Sequence, residues 1–120
     1  MNIYQEEILD HFQNPQNFGY LSDFDFEASL ENPLCGDKIK IQVKLDKDII
    51  RDIKFSGQGC AISLATASML TEEIKNKSIS QVNHLTKDNI TKLLNIELGP
   101  TRLKCALLSL ETIKKALAKK

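Results

Sequence analysis

Residues 38–45 read Lys-Ile-Lys-Ile-Gln-Val-Lys-Leu, so apolar and polar side chains alternate along this stretch. Successive side chains of a β-strand point to opposite faces of the sheet, and the alternation therefore predicts a strand with one buried face. The polar turn 46–48 follows, and residues 49–55 are again rich in β-branched side chains. These two runs predict an antiparallel hairpin. Residues 24–28 also alternate and predict a third strand beside it.

Helical spacing of apolar residues dominates the remainder of the chain. It predicts an amphipathic first helix over 3–12 and a closely packed central helix over 60–75, which is apolar or small almost all round. Further helices are predicted over 78–85, 86–94 and 101–119. Because strands come first and helices later without alternating, the sequence predicts an α+β fold, in which helices pack on one face of a three-stranded antiparallel sheet.

The composition predicts one soluble domain spanning residues 1–120. Of these residues, 42% are hydrophobic and 27% are charged, and 16 basic residues balance 16 acidic ones. A neutral chain argues against nucleic-acid binding, and a run of lysines near the C-terminus is expected to be a solvated helix end. Neither a secretory signal nor a long apolar stretch is visible, so a cytoplasmic protein without membrane contact is expected.

Cys35, Cys60 and Cys105 are the three cysteines. An odd number without an export signal favours reduced thiols over a disulfide framework. Cys35 lies in a loop just before Gly36, which permits an unusual backbone angle. Cys60 follows a glycine-rich turn at the start of the central helix, where the positive end of the helix dipole favours a thiolate.

Helical geometry places Cys105 roughly 140° from the centre of the apolar stripe of the last helix. This position predicts an open helix face for the thiol, with Arg102 and Lys104 supplying positive charge that favours a thiolate. The alternative for any one of the cysteines is a small apolar side chain that fills the core.

Three thiols and the carboxylate of Asp37 could converge on one tetrahedral metal ion, although none of the cysteines has CxxC spacing. Sulfur donors select zinc or iron-sulfur clusters, whereas a carboxylate oxygen is a harder and more exchangeable ligand. The site would therefore favour transfer over storage. The two histidines, His11 and His84, are not expected to be ligands.

Three phrases of the sequence resemble the U-type iron-sulfur cluster assembly scaffold family, which comprises IscU, SufU and the N-terminal domain of NifU. They are Asn-Pro-Leu-Cys-Gly-Asp at 32–37, Gly-Gln-Gly-Cys-Ala-Ile-Ser at 57–63 and Arg-Leu-Lys-Cys-Ala at 102–106. The resemblance implies a compact α+β fold and sulfur received as a persulfide from a cysteine desulfurase. It also implies a cluster or zinc held by Cys35, Asp37, Cys60 and Cys105.

Within that family, the chain is more similar to the SufU-type branch. Lys104 stands where IscU-type members carry a histidine, and residues 98–102 read Leu-Gly-Pro-Thr-Arg instead of their Leu-Pro-Pro-Val-Lys chaperone segment. The insertion of SufU-type members before the last cysteine is missing, since Cys60 and Cys105 are 45 positions apart.

These observations lead to three functional hypotheses. The first is a scaffold that accepts sulfur, with Cys105 as the persulfide acceptor and Cys60 as the alternative, and that assembles and transfers a [2Fe-2S] cluster. The second is a zinc-dependent sulfur acceptor that activates its desulfurase, and the third is a small structural zinc module. The expected bound species are Zn²⁺ or Fe²⁺ and a transient cluster. The expected partners are the desulfurase, apo iron-sulfur proteins and a frataxin-like or chaperone factor, so the chain is expected to be a scaffold or carrier and not a stand-alone enzyme.

Overall fold

The computed structural model describes residues 2–33 and 36–120 and contains one sheet with five helices in these ranges. In chain order the elements are α1 Ile3–Gln13, β1 Phe26–Asn32, β2 Asp37–Asp46, β3 Ile49–Gln58, α2 Ala61–Ile74, α3 Ile79–Asn83, α4 Lys87–Leu94 and α5 Pro100–Leu117. The predicted α+β fold with a three-stranded antiparallel sheet is confirmed.

The strand order is β1-β2-β3, and both pairs are antiparallel. On central β2, Ile41 pairs with Ala28 of β1 and with Phe55 of β3. The predicted hairpin is confirmed, with a register shift at Lys44 and Leu45. The first strand, by contrast, begins two residues later than predicted and continues to Asn32, because its second half is held by cross-strand pairing with β2 and carries little apolar alternation of its own.

One face of the sheet forms the floor of the hydrophobic core. Ile39, Ile41 and Val43 of β2 are fully buried there, and α2 and α5 pack over this face. α2 is buried nearly all round, as its composition predicts, because α1, α5 and β3 all contact it. α5 contacts α2 on one side and the first two strands on another, so this helix also has more than one buried face.

The outer edges of both β1 and β3 accept or donate hydrogen bonds to groups outside the sheet. Beside β3, the backbone N–H of Phe55 donates to the Asn17 carbonyl at 2.9 Å, and the Gly19 N–H donates to the Phe55 carbonyl at 2.8 Å. Beside β1, Lys115 Nζ lies 3.3 Å from the Ser29 carbonyl oxygen, and Lys119 Nζ donates to the carbonyl of Glu27. Of the C-terminal lysines expected to be a solvated helix end, Lys115 and Lys119 are thus exposed and yet bonded to the sheet.

Among the residues described, no helix combines the length and the apolar character that crossing a membrane requires.

Candidate metal centre

Asp37 is the first residue of β2, and its carboxylate lies on the buried side of the sheet. The strand alternation places it on the same face as Ile39 and Ile41, and the residue is only 1% exposed. Its Oδ1 accepts a hydrogen bond from the backbone N–H of Cys60 at 2.9 Å. The carboxylate is therefore fixed at the point where β2 lies beside the start of α2.

Gly59 makes this close approach possible. A Cβ atom at position 59 would lie 2.6 Å from Asp37 Oδ1, which is closer than any side chain tolerates. Gly59 therefore keeps the backbone free of bulk beside the carboxylate. Gly36, directly before Asp37, has a φ of 74°, the left-handed conformation that its sequence position predicts.

Cys60 is the N-cap residue of α2, and its thiol is exposed. Its Sγ accepts a hydrogen bond from the Ser63 N–H at 3.5 Å and lies 3.6 Å from Asp37 Oδ2. The predicted position at the junction between a strand and the central helix is confirmed. The sulfur lies at the N-terminal end of α2, where the helix dipole favours negative charge.

Cys105 does not lie on an open helix face, and that prediction is wrong. The residue is 4% exposed. The single-stripe argument failed because α5 is covered on two sides, and the small residues that share the side of Cys105, Ser109, Thr112 and Ala116, are all buried as well. Small side chains on this side are typical of close helix packing, not of an accessible surface.

The structure nevertheless brings three of the four predicted ligands together. One donor atom from each of Asp37, Cys60 and Cys105 lies within 4.8 Å of the other two. Donors around a tetrahedral zinc ion lie about 3.3–3.8 Å apart, so a small contraction would complete the geometry. Two sulfurs and one oxygen suit zinc or iron, and the residues present therefore fit a metal. The fourth predicted ligand, Cys35, lies outside the described residues.

Arg102 and Lys104 are both exposed in the first turns of α5, next in sequence to Cys105. Lys104 lines a surface groove together with Asn32, the last residue of β1, and Pro33, which follows it. Both cations are therefore accessible to solvent on α5.

His11 is not among the converging donors of the described residues, and its Nδ1 lies 2.7 Å from the hydroxyl oxygen of Ser68. His84 Nδ1 is bonded to the carbonyl of Ser80. The residue that the sequence analysis missed is Ser63, whose hydroxyl donates to Asp37 Oδ2. Its position three residues after an N-cap cysteine, in the first turn of a buried helix, is the signal that was available.

Comparison with known proteins decides the family. The sequence profile of the NifU-like N-terminal domain matches residues 3–119. The chain belongs to the NifU-like N-terminal domain family.

Two relatives of this NifU-like chain have names that describe their activity. It is 38% identical to the zinc-dependent sulfurtransferase SufU of Bacillus subtilis (strain 168), over 98% of this chain and 90% of the relative. That alignment has 134 positions, more than the 120 residues here, so it opens gaps in this chain. It is also 36% identical to the iron-sulfur cluster assembly scaffold protein IscU 1 of Archaeoglobus fulgidus, over 96% of this chain and 74% of the relative.

Two solved structures share the fold of this NifU-like chain. FiSufU from Fervidobacterium islandicum AW-1 superposes with a TM-score of 0.80 at 26% identity, covering 93% of this chain and 94% of its own. An N-terminal NifU-like protein from Brucella abortus superposes with a TM-score of 0.78 at 18% identity, covering 98% and 93%. The second likeness concerns the fold alone.

Proposed function

We propose that this protein is an iron-sulfur cluster assembly scaffold that accepts sulfur from a cysteine desulfurase. The observation that carries the proposal is the convergence of Asp37, Cys60 and Cys105 in a chain whose family includes scaffold proteins. Asp37, Cys60 and Cys105 would hold the metal, with Cys35 as the fourth ligand. Zn²⁺ or Fe²⁺ is the resident ion of the proposal, and a [2Fe-2S] cluster is the product passed to apo iron-sulfur proteins.

The ligand set favours release over storage. Two thiolates bind soft or borderline metals firmly, while the carboxylate oxygen of Asp37 exchanges more readily. Asp37 also accepts a hydrogen bond from the N–H of Cys60 at 2.9 Å, and this bond would stabilise the carboxylate after it leaves the metal. A structural zinc module would instead use a closed set of firm ligands.

Exposure suggests the order of sulfur transfer. Cys60 is exposed, so its thiolate can attack the outer sulfur of the desulfurase persulfide, the donor S–S bond breaks, and the desulfurase thiolate leaves. Cys105 is buried, but its donor atom lies within 4.8 Å of that of Cys60. The Cys105 thiolate can then attack the outer sulfur on Cys60 and release the Cys60 thiolate. In this proposal Cys105 remains the acceptor that retains the sulfur, and Cys60 receives it first.

Arg102 and Lys104 support this chemistry by charge. Both are exposed beside Cys105 in sequence, and cations near a thiol favour its reactive thiolate form. Their exposure also makes them available to an acidic surface of the desulfurase. A frataxin-like or chaperone factor remains a prediction from the sequence, and residues 98–102 differ from the chaperone segment of IscU-type members.

A second function, zinc-dependent sulfur acceptance that activates the desulfurase, uses the same residues. The similarity to the Bacillus subtilis SufU over nearly the whole chain favours it. The two functions differ in what accumulates: a coloured cluster in the first, and a colourless zinc protein with faster desulfurase turnover in the second.

The test combines the reduced protein anaerobically with ferrous iron, cysteine and a cysteine desulfurase, and records the visible spectrum and the sulfide released. The scaffold function predicts a cluster spectrum that transfers to an apo-ferredoxin. A persistent absence of that spectrum, together with accelerated desulfurase turnover by the zinc-loaded protein, would replace it with the second function.

Peptide mass spectrometry after a reaction without iron tests the sulfur route. We expect Cys105→Ala to accumulate the persulfide on Cys60, and Cys60→Ala to lower persulfide labelling at Cys105 at least tenfold. Full labelling of Cys105 in Cys60→Ala, or a persulfide confined to Cys35, would contradict the route.

A further inference from the structure

Ser63 has a hydroxyl at the centre of the candidate site, although its side chain is not in the ligand set. The residue is 1% exposed in the first turn of α2. Its Oγ donates to Asp37 Oδ2, lies 3.7 Å from Cys60 Sγ and lies 3.3 Å from the backbone carbonyl oxygen of Cys105. One hydroxyl therefore contacts all three residues that converge.

The hydroxyl carries one proton and has two acceptors within reach. An ionised carboxylate is a stronger acceptor than a neutral carbonyl, so the proton is directed to Asp37 while that carboxylate is charged. The Oδ1 of Asp37 is already bonded to the Cys60 N–H, and Ser63 fixes the other oxygen. The plane of the carboxylate is thereby set relative to the Cys60 sulfur.

Burial alone does not account for these contacts. Ser109 on the facing helix α5 is equally buried, at 1% exposure, and in the part of the chain that the structure describes its hydroxyl has no hydrogen-bond partner. The buried part of α5 thus accommodates a serine without pairing its hydroxyl to any described residue. The Ser63 hydroxyl, unlike that of Ser109, has a partner among the described residues, the carboxylate of Asp37.

We propose that Ser63 is a positioning residue of the metal centre, which orients Asp37 for coordination. This inference rests on the proposed function, since it assumes a metal at Asp37, Cys60 and Cys105. Outer partners of ligating side chains commonly change metal affinity by about 10–100-fold when removed. Ser63 acts through Asp37, and its effect therefore requires that carboxylate.

The test measures zinc affinity by chelator competition in the unaltered protein, Ser63→Ala, Asp37→Ala and the double variant. We expect Ser63→Ala to weaken zinc binding about tenfold and to add no loss in the Asp37→Ala background. The ligand-field bands of the Co²⁺-loaded protein should change in Ser63→Ala, because they report the oxygen ligand directly. Thr66→Val is the control, since the Thr66 hydroxyl bonds only along its own helix, to the Ile62 carbonyl, among the bonds observed.

The outcomes separate the two proposals. If the unaltered protein binds zinc and Ser63→Ala either leaves the affinity unchanged or adds its full effect to that of Asp37→Ala, the role of Ser63 is overturned and the metal centre stands. If the unaltered protein binds no zinc or cobalt through Asp37, Cys60 and Cys105, both fail. Thermal unfolding of the metal-free variants shows whether each one is folded when it is measured.

Discussion

A glycine and a carboxylate in contact define the centre at the scale of single residues. Asp37 approaches the backbone before α2 so closely that position 59 has no room for a Cβ. Gly59 does not need a left-handed conformation, since its φ lies outside that region, and its requirement is purely steric. A substitution at Gly59 can therefore displace the Asp37 carboxylate without replacing any of the proposed metal ligands.

Gly59→Ala is expected to displace Asp37 and weaken zinc binding. Overpacking of this kind costs about 1–3 kcal/mol of unfolding free energy, and the displaced carboxylate loses its alignment with Cys60. Chelator competition and thermal unfolding measure the two effects. Gly99→Ala is the matched control, because a Cβ there has no neighbour within 4 Å. Equal zinc affinity in the two variants would show that the approach of Asp37 to the backbone does not matter for binding.

Of the three residues that converge, the sequence predicted the positions of Asp37 and Cys60 correctly and the burial of Cys105 wrongly. Asp37 continues the alternation of Ile39 and Ile41 by two positions, so its place on the buried face follows from the strand period. Cys60 follows from the glycine-rich turn before a helix. Cys105 was misplaced because the apolar stripe of one helix shows only the face that meets large side chains, while a second face of small residues is indistinguishable from a surface.

At the scale of elements, the second buried face of α5, made of small residues, affects the stability of the protein. Thr112 on that face satisfies its hydroxyl by bonding to the Leu108 carbonyl at 2.7 Å. Ser109 has no such bond in the described part of the chain. A buried hydroxyl without a partner lowers stability by about 1–3 kcal/mol.

Ser109→Ala is therefore expected to raise the unfolding free energy by about 1 kcal/mol, since it removes an unpaired polar group and little volume. Chemical denaturation of the metal-free protein measures the change. Thr112→Val, which removes a satisfied hydroxyl from the same helix, should give no such gain. A loss of stability in Ser109→Ala would reveal a partner for that hydroxyl.

The element boundaries were predictable where one local signal dominated. Ser78 begins α3 as a capping residue, as its side-chain type predicts, and Thr86 does the same for α4. The second half of β1 was not predicted, because only Leu30 in residues 29–32 is a large apolar residue. Its strand conformation depends on pairing with β2, which a local pattern does not contain.

At the scale of the whole molecule, the sheet surface away from the helices carries a network of charges. Glu27 receives a hydrogen bond from the Gln42 amide at 3.0 Å and has Lys40 Nζ at 3.4 Å. The Gln42 bond chiefly, with Lys40 and Lys119, lowers the pKa of Glu27 below its ordinary value of 4.5. Gln42 also accepts the Leu21 N–H, so this network holds the segment before β1.

A depressed carboxyl pKa stabilises the folded protein above the unfolded-state value and stops doing so as the pH falls through the folded-state value. Glu27→Gln is therefore expected to make the loss of stability below about pH 4.5 shallower. Unfolding midpoints between neutral pH and pH 3 measure it. Glu97→Gln, which removes an exposed carboxylate elsewhere, is the control, and an equal change in the two variants would refute a special contribution of Glu27.

The two edges of the sheet limit how other proteins can bind to this one. Asn17 and Gly19 already bond to β3, and Lys115 and Lys119 already reach carbonyls of β1. A peptide that sought to extend the sheet by adding a strand would have to displace these groups, and lysines at an outer strand oppose such pairing. Recognition of this protein is thereby directed to its side chains and loops, and accidental strand-to-strand association of its copies is discouraged.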